Sequence, residues 1–386
     1  MTSNEEKVIK KLLKYQRDLD EYTLKQIATR LNSTKGLGLV DLFDIAYFSM
    51  VYAIMQDIEN KALLTRQQQA KEIEKLLTSS AVSSYSTMKT LYKDGGVTQL
   101  PYKANTELKD YVTSEVTNKV RDFNNVLKGI GYSISDSGRK MFRSPSETYQ
   151  YVSNVAKQQE LTNPFGYDLW SRKVVRNLLR DGLKVYNYNQ DTQKYKQQNS
   201  YSYIRNFVKD SVYKVCQGVF NVVANQVGID GVELSAHFDC ALDHLPVQGH
   251  QFTISEFKKM QSNEDFVDVE GRHYIALDRA IGTWNCRHFV YPIIINKSQQ
   301  RYTDEELQAI KDKAENYKSV NTENGEKIFM SYSQYKNYLQ KMQDKIDTLT
   351  LDLRIAEKLG DKWLIEYYKS KLSEYKSILS SFKTSN

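Results

Sequence analysis

Disulfide chemistry and membrane insertion are poorly provided for in this sequence. Only three cysteines occur among 386 residues, Cys216, Cys240 and Cys286, too few for a disulfide framework, so a reducing compartment is expected. Proline is scarce too, with five in the chain, which leaves long stretches free to run as helix. Long apolar runs are missing. The strongest, Ile45 to Met55, is about half the roughly 20 residues a spanning helix needs, so it is expected to be a buried helix. The N-terminal MTSNEEKVIKKLLKY has no apolar core followed by a small-residue cleavage site, so no secretory signal is expected. Nor is charge of one sign in large excess. Against 47 acidic residues stand 54 basic ones, a net +7, compatible with contact to nucleic acid but without the dense basic patch of a dedicated DNA binder.

What is present is helical periodicity. The chain is 40% hydrophobic and 26% charged, as in a folded, mainly helical protein. Residues 5–31 place Ile9, Leu12, Leu13, Leu19, Leu24, Ile27 and Leu31 near helical spacing. Asp41 to Glu59 predicts a second, more buried helix, 105–128 a polar one, and the Gly, Ser and Asp clusters of 129–145 a loop. From Asn163 to about Val185 another helix is expected, with Arg172, Arg176, Arg180 and Lys184 four residues apart on one face. Such a stripe could track phosphates, although a solvated helix face gives the same pattern. Residues 1–185 therefore form a helical region, and the Tyr-, Gln- and Asn-rich stretch 186–203 a polar linker or exposed loop.

From Gly231 to Ile295 the period shortens toward that of strands, with Pro292 expected on an edge strand or bulge. Thr303 and Glu306 make a capping-box pattern. The chain then ends in two heptad-like stripes around Gly360. The first runs from Leu339 through Met342, Ile346, Leu349 and Leu353 to Ala356, the second from Ile365 to Phe382. An antiparallel helical hairpin is expected. The overall expectation is a mainly α protein: helical N-terminal region, small central α+β module over 204–300, and helical hairpin or coiled-coil tail over 301–386.

All five histidines, His237, His244, His250, His273 and His288, fall in that central module, with Cys240 and Cys286. Three readings compete. Imidazole and thiolate are preferred zinc ligands, which makes His237, Cys240, His244, Cys286 and His288 candidates, although their spacing is not a standard zinc pattern. Asp243-His244, with Asn285 and His288, could form an HNH-like metal-dependent nuclease centre with a histidine as general base. Alternatively, His, Asn, Gln and Arg side chains tie loops together, with Trp284 as an apolar anchor.

Ser235-Ala236-His237, Asp243-His244, Pro246, Gln248-Gly249 and the later Trp284-Asn285-Cys286-Arg287-His288 resemble the phage minor capsid protein 2 family. That family is itself distantly similar to the head-morphogenesis domain of Mu-type minor head proteins. The chain departs from the family pattern at Cys240, where a small residue is usual, at Ala241 in place of Arg, and at Val247 in place of an aromatic. The resemblance implies a non-enzymatic virion component in the head interior or near the portal, made in the host cytoplasm. Its partners would be portal and capsid proteins, with double-stranded DNA and an oligomer around the portal as further implications. No membrane span and no cofactor are expected, zinc being the alternative. His237, His244, Gln248, Asn285, Arg287 and His288 would organise the module, and the stripe from Arg172 to Lys184 would be the DNA-facing candidate.

Overall fold

Helix dominates the chain from its first turns. The structure, a computed structural model, describes residues 3–383 apart from 39, 42–43, 137–138, 190–193, 269–270, 284–285, 287 and 322–326. It divides into two compact units, one built from residues up to 76 with 118–209 and 344–381, the other from 77–117 with 210–343.

In the first unit, α1 (Ser3–Thr34) buries every apolar residue of its expected stripe, from Ile9 to Leu31. The opening of α2 (Ile45–Ser86) and the end of α4 (Thr106–Lys128) also belong here, while the short α3 (Lys89–Asp94) belongs to the second unit. Helix α1 packs against α5 (Pro145–Thr162) and α6 (Tyr167–Asp181), which in turn cover the first strand of an antiparallel sheet. That sheet has the order β2-β1-β3-β4, from β1 (Ile130–Asp136), β2 (Arg139–Arg143), β3 (Lys184–Asn189) and β4 (Lys194–Asn199).

Four expectations change here. The 129–145 stretch is a β-hairpin, not a loop, and much of the 186–203 stretch is paired strand followed by α7 (Ser200–Val227). The physical reason is the Tyr, Ile, Phe and Val residues in these polar segments, which favour pleated pairing over solvated coil. Helix α6 also stops at Asp181, because Gly182 takes φ +59°, so Lys184 lies on β3 rather than on the helical stripe. Finally, the start of α2 is not buried all round. Only Tyr47, Val51 and Ile58 sink into the core, while Ile45, Phe48, Met50 and Tyr52 stay exposed.

The last two helices, α10 (Tyr332–Leu359) and α11 (Lys362–Lys383), are joined through Gly360 at φ +70°. Their stripes are buried at Met342, Ile346, Leu349 and Ala356 and at Tyr368, Leu372 and Tyr375. Within the first unit α10 is tied to α1, through Arg354–Glu21 at 2.9 Å and through Arg17–Asp347, and to α7 by the two-pronged Arg205–Asp344 contact at 2.8 Å.

In the second unit a three-stranded antiparallel sheet, order β6-β5-β9, is formed by β5 (Gly231–Leu234), β6 (Gln251–Thr253) and β9 (Val290–Ile293). Pro292 sits on β9, an edge strand, where its missing N–H costs no ladder bond. Helix α8 (Ile254–Gln261) starts at a Thr253/Glu256 capping box and packs on this sheet and on the small β7 (Phe266–Val267) and β8 (His273–Tyr274) pair. Val232, Leu234, Val247, Phe252, Met260, Phe266, Tyr274, Leu277, Ile281 and Cys286 form the core of the module. Helix α9 (Asp304–Glu315) begins with the expected capping box, Thr303 Oγ1 accepting from Glu306 N. A hairpin of β10 (Lys318–Asn321) and β11 (Lys327–Met330) follows.

Candidate functional site

Two sequence pieces more than 30 residues apart must meet for the histidines to act together, and β5 and β9 bring them together. Just past the paired strands, Ser235 N donates to Phe289 O at 2.9 Å, and Ser235 Oγ accepts from Phe289 N at 2.8 Å. This clasp sets the segment after β5 beside the segment before β9. Gln217 on α7 holds the same edge, accepting from Val290 N and donating to Val290 O, both at 3.0 Å.

Between the two segments lie His244, Cys286 and His288, all buried, with ligand-capable atoms within 4.8 Å of one another. Cys286 Sγ is 3.7 Å from His244 Nδ1 and 3.5 Å from His288 Nδ1. The outer nitrogens are both engaged. His244 Nε2 donates to the Arg279 carbonyl at 2.9 Å, and His288 Nε2 donates to Gln248 Oε1 at 3.2 Å. The amide orientation of Gln248 is fixed independently, because the same oxygen accepts from the His237 backbone N–H at 3.0 Å. With Nε2 the donor on each ring, the Nδ1 edges of both face the sulfur.

Glycine is required twice. Gly249 adopts φ +75°, and a Cβ there would stand 2.2 Å from Leu307 Cδ2 on α9. Gly282 adopts φ +83°, and its N–H donates to Cys286 Sγ at 3.2 Å. These positions account for the Gly in the Gln248-Gly249 pair and for the turn that leads into Cys286.

The electrostatics follow from this packing. Burial pushes His288 down to about 2, with His237 and His244 adding to the shift, so its imidazole is neutral. Burial also pushes the Cys286 thiol up, but the His244 ring and the Gly282 and His288 backbone N–H groups more than offset it, leaving it below the ordinary thiol value. His244 is moved above the ordinary histidine value: burial lowers it, and the contacts with Cys286 and Arg279 O outweigh that. His237 stacks on His288 at 4.4 Å between ring centroids, with its Nδ1 3.0 Å from Asp239 Oδ1 but off the hydrogen-bonding direction. Asp239 is held well below the usual carboxylate range by His237 and then by Lys336, whose Nζ lies 2.8 Å away.

His237, His244, Gln248 and His288 are therefore brought together as one constellation. Asn285 and Arg287, with Trp284, lie outside the described residues. Cys240 is not part of the cluster. It packs with Leu245, Ala314 and Phe238 in a separate apolar group, and burial pushes its thiol up to about 12. Sequence reasoning missed the Arg279 carbonyl and the Gly282 N–H, since backbone groups carry no residue-type signal, and it missed the Asp239–Lys336 pair. For nuclease chemistry the relevant fact is that His244 is 1% exposed and both its ring nitrogens face protein groups.

The basic stripe is split by the fold. Arg172 and Arg176 face Asp361 at the start of α11, at 3.8 and 3.6 Å, and Arg176 also lies over the Trp363 ring at 4.5 Å. Arg180 lies 3.5 Å from its neighbour Asp181, and Lys184 pairs within the sheet.

No helix among the described residues is long and apolar enough to cross a membrane. Nothing among curated proteins and nothing among solved structures matches the chain. The family model for phage minor capsid protein 2 does match, over residues 4–382. That span takes in both helical ends as well as the histidine module, so the likeness first carried by Ser235–Gly249 and Trp284–His288 extends to nearly the whole sequence. The chain belongs to the phage minor capsid protein 2 family, and its role is that of a structural protein of the phage particle.

Proposed function

We propose that this protein is a minor head component that docks on portal or capsid subunits during head assembly or DNA delivery, and that it acts by binding rather than catalysis. The observation that carries the docking is the start of α2. Ile45 is 80% exposed and Tyr52 62%, with Phe48 and Met50 about half exposed. A helix this apolar on all sides is ordinarily covered on all sides. Apolar surface left open on a folded chain marks a protein–protein contact. Several copies around a portal ring would each present the same face, in the head interior or beside the portal, after synthesis in the host cytoplasm.

Packaged duplex DNA is a further partner in this reading, favoured by the net +7 charge. The Asp361 carboxylate already engages Arg172 and Arg176, so Arg180, 70% exposed, is the stripe residue best placed to meet a phosphate.

The test is co-purification. The protein is expected in purified virions and in pull-downs with the portal. A Phe48→Ser, Tyr52→Ser double variant is expected to keep its circular dichroism and to lose at least tenfold in portal retention. Retention equal to the parent would refute the α2 surface, and absence from virions would refute the role itself. No divalent-dependent cleavage of plasmid DNA is expected. Cleavage that disappears in His244→Ala would overturn the non-catalytic part.

A further inference from the structure

We infer that His244 Nδ1, Cys286 Sγ and His288 Nδ1 form a cradle for a zinc ion at the heart of the central module. The inference rests on geometry inside this module and does not depend on the docking role proposed above.

Edge lengths come first. Zinc binds sulfur at about 2.3 Å and imidazole nitrogen at about 2.0–2.1 Å, so two such donors at a tetrahedral angle stand about 3.6 Å apart. The two sulfur–nitrogen edges here are 3.7 and 3.5 Å. These lengths are ordinary for hydrogen bonds to sulfur, and both also suit two donors sharing one ion.

The outer contacts give a second, independent argument. A metal-bound histidine characteristically donates its far N–H to a carbonyl or carboxylate, which fixes the tautomer and aims the other nitrogen. Both rings do this, one to the Arg279 carbonyl and one to the Gln248 side-chain oxygen. A metal-bound thiolate likewise gains from a backbone N–H, and Gly282 N supplies it to Cys286 Sγ at 3.2 Å. Three donors with two outer acceptors and one outer N–H make an arrangement that a purely structural hydrogen-bond cluster does not need. Both inner nitrogens meet the same sulfur. A thiol has one S–H and can donate to only one of the two, so a purely hydrogen-bonded cluster leaves the other without a donor.

The donor set also selects the ion. Two neutral imidazoles and one thiolate suit a borderline-soft cation such as Zn²⁺, whereas Mg²⁺ and Ca²⁺ require oxygen ligands. A three-donor set leaves one tetrahedral position open. Of the five ligands that the sequence offered, geometry retains three. Cys240 belongs to another apolar group.

The experiment uses the full chain, expressed and purified without chelator and dialysed against metal-free buffer. Elemental analysis is expected to find about one zinc per chain, unchanged in Cys240→Ser and Cys216→Ser and reduced at least tenfold in Cys286→Ser. Because a buried variant can fail to fold, the parent protein is also stripped and reloaded with Co²⁺. The expected signature is a thiolate-to-cobalt charge-transfer band in the near ultraviolet with intense tetrahedral bands in the visible. Zinc far below one per chain after reloading, a different metal at stoichiometry, or a cobalt spectrum without the thiolate band would each overturn the proposal.

Discussion

At the scale of single residues, Gln248 holds the most for its size. One side-chain oxygen accepts from the His237 backbone and from the His288 ring, and the residue is 3% exposed. Replacing it with leucine keeps the volume but leaves two buried donors without an acceptor, each worth about 1–3 kcal/mol. Gln248→Leu is therefore expected to lose about 2–4 kcal/mol in urea unfolding followed by circular dichroism. Gln248→Glu, which keeps an acceptor oxygen at the same reach, should lose less in acid, where its carboxyl is neutral and buries no charge. Equal losses in both variants would show that shape, not hydrogen bonding, is what Gln248 provides. Its neighbour Gly249 cannot be replaced for a different reason, since positive φ and the approach of Leu307 both exclude a Cβ.

At the scale of elements, the helices that carry their own start and stop signals were the legible ones. Thr303 and Glu306 satisfy the first free N–H groups of α9 reciprocally. Thr303→Ala should cost about 1 kcal/mol, measurable as a lowered unfolding midpoint, while Thr303→Ser should cost little. If alanine is tolerated as well as serine, the cap contributes nothing. The α1 stripe and the Gly360 turn were equally plain, because each rests on local spacing or a single permissive residue. The strands β1 to β4 were not legible as such. Their Tyr, Ile, Phe and Val residues are diluted among polar ones, and the pairing that turns this preference into strand is not recorded in local composition. The same limit applied at the histidine cluster. Residue types marked out the right segment, but Cys286 was separated from Cys240 only by folding, which placed one beside two rings and the other among Leu245, Ala314 and Phe238. The basic stripe fell to the opposite error. Its spacing was real as far as Arg180, but the distant Asp361 carboxylate claims two of its members.

At the scale of the whole molecule, stability carries a pH dependence set by two buried carboxyls of the first unit. Asp352 is pushed up to about 8, first by burial and then by the charge of Asp20, against a weaker pull from Lys345. Asp20 is pushed up to about 6 by burial, although the Tyr132 and Tyr201 hydroxyls donate to it. Both groups ionise near 4 once the chain unfolds. Between that value and the folded ones, the folded state holds more protons than the unfolded state, so stability must fall as pH rises through this window. The limit is roughly 1.4 kcal/mol per pH unit for each group. Asp352→Asn removes the larger share, since asparagine is neutral at every pH and keeps the side chain's size. The thermal midpoint of the parent is expected to drop as pH rises from about 5, just above the open-chain carboxyl value, to about 8, the folded value of Asp352. The variant's advantage should be small at the acid end and grow toward the alkaline end. Comparing variant with parent at each pH cancels the titrations not coupled to Asp352, while Asp20, whose charge acts on it, stays in the difference. A constant difference across the range would mean that Asp352 titrates in the folded protein as it does in the open chain, and that its burial is relieved by water.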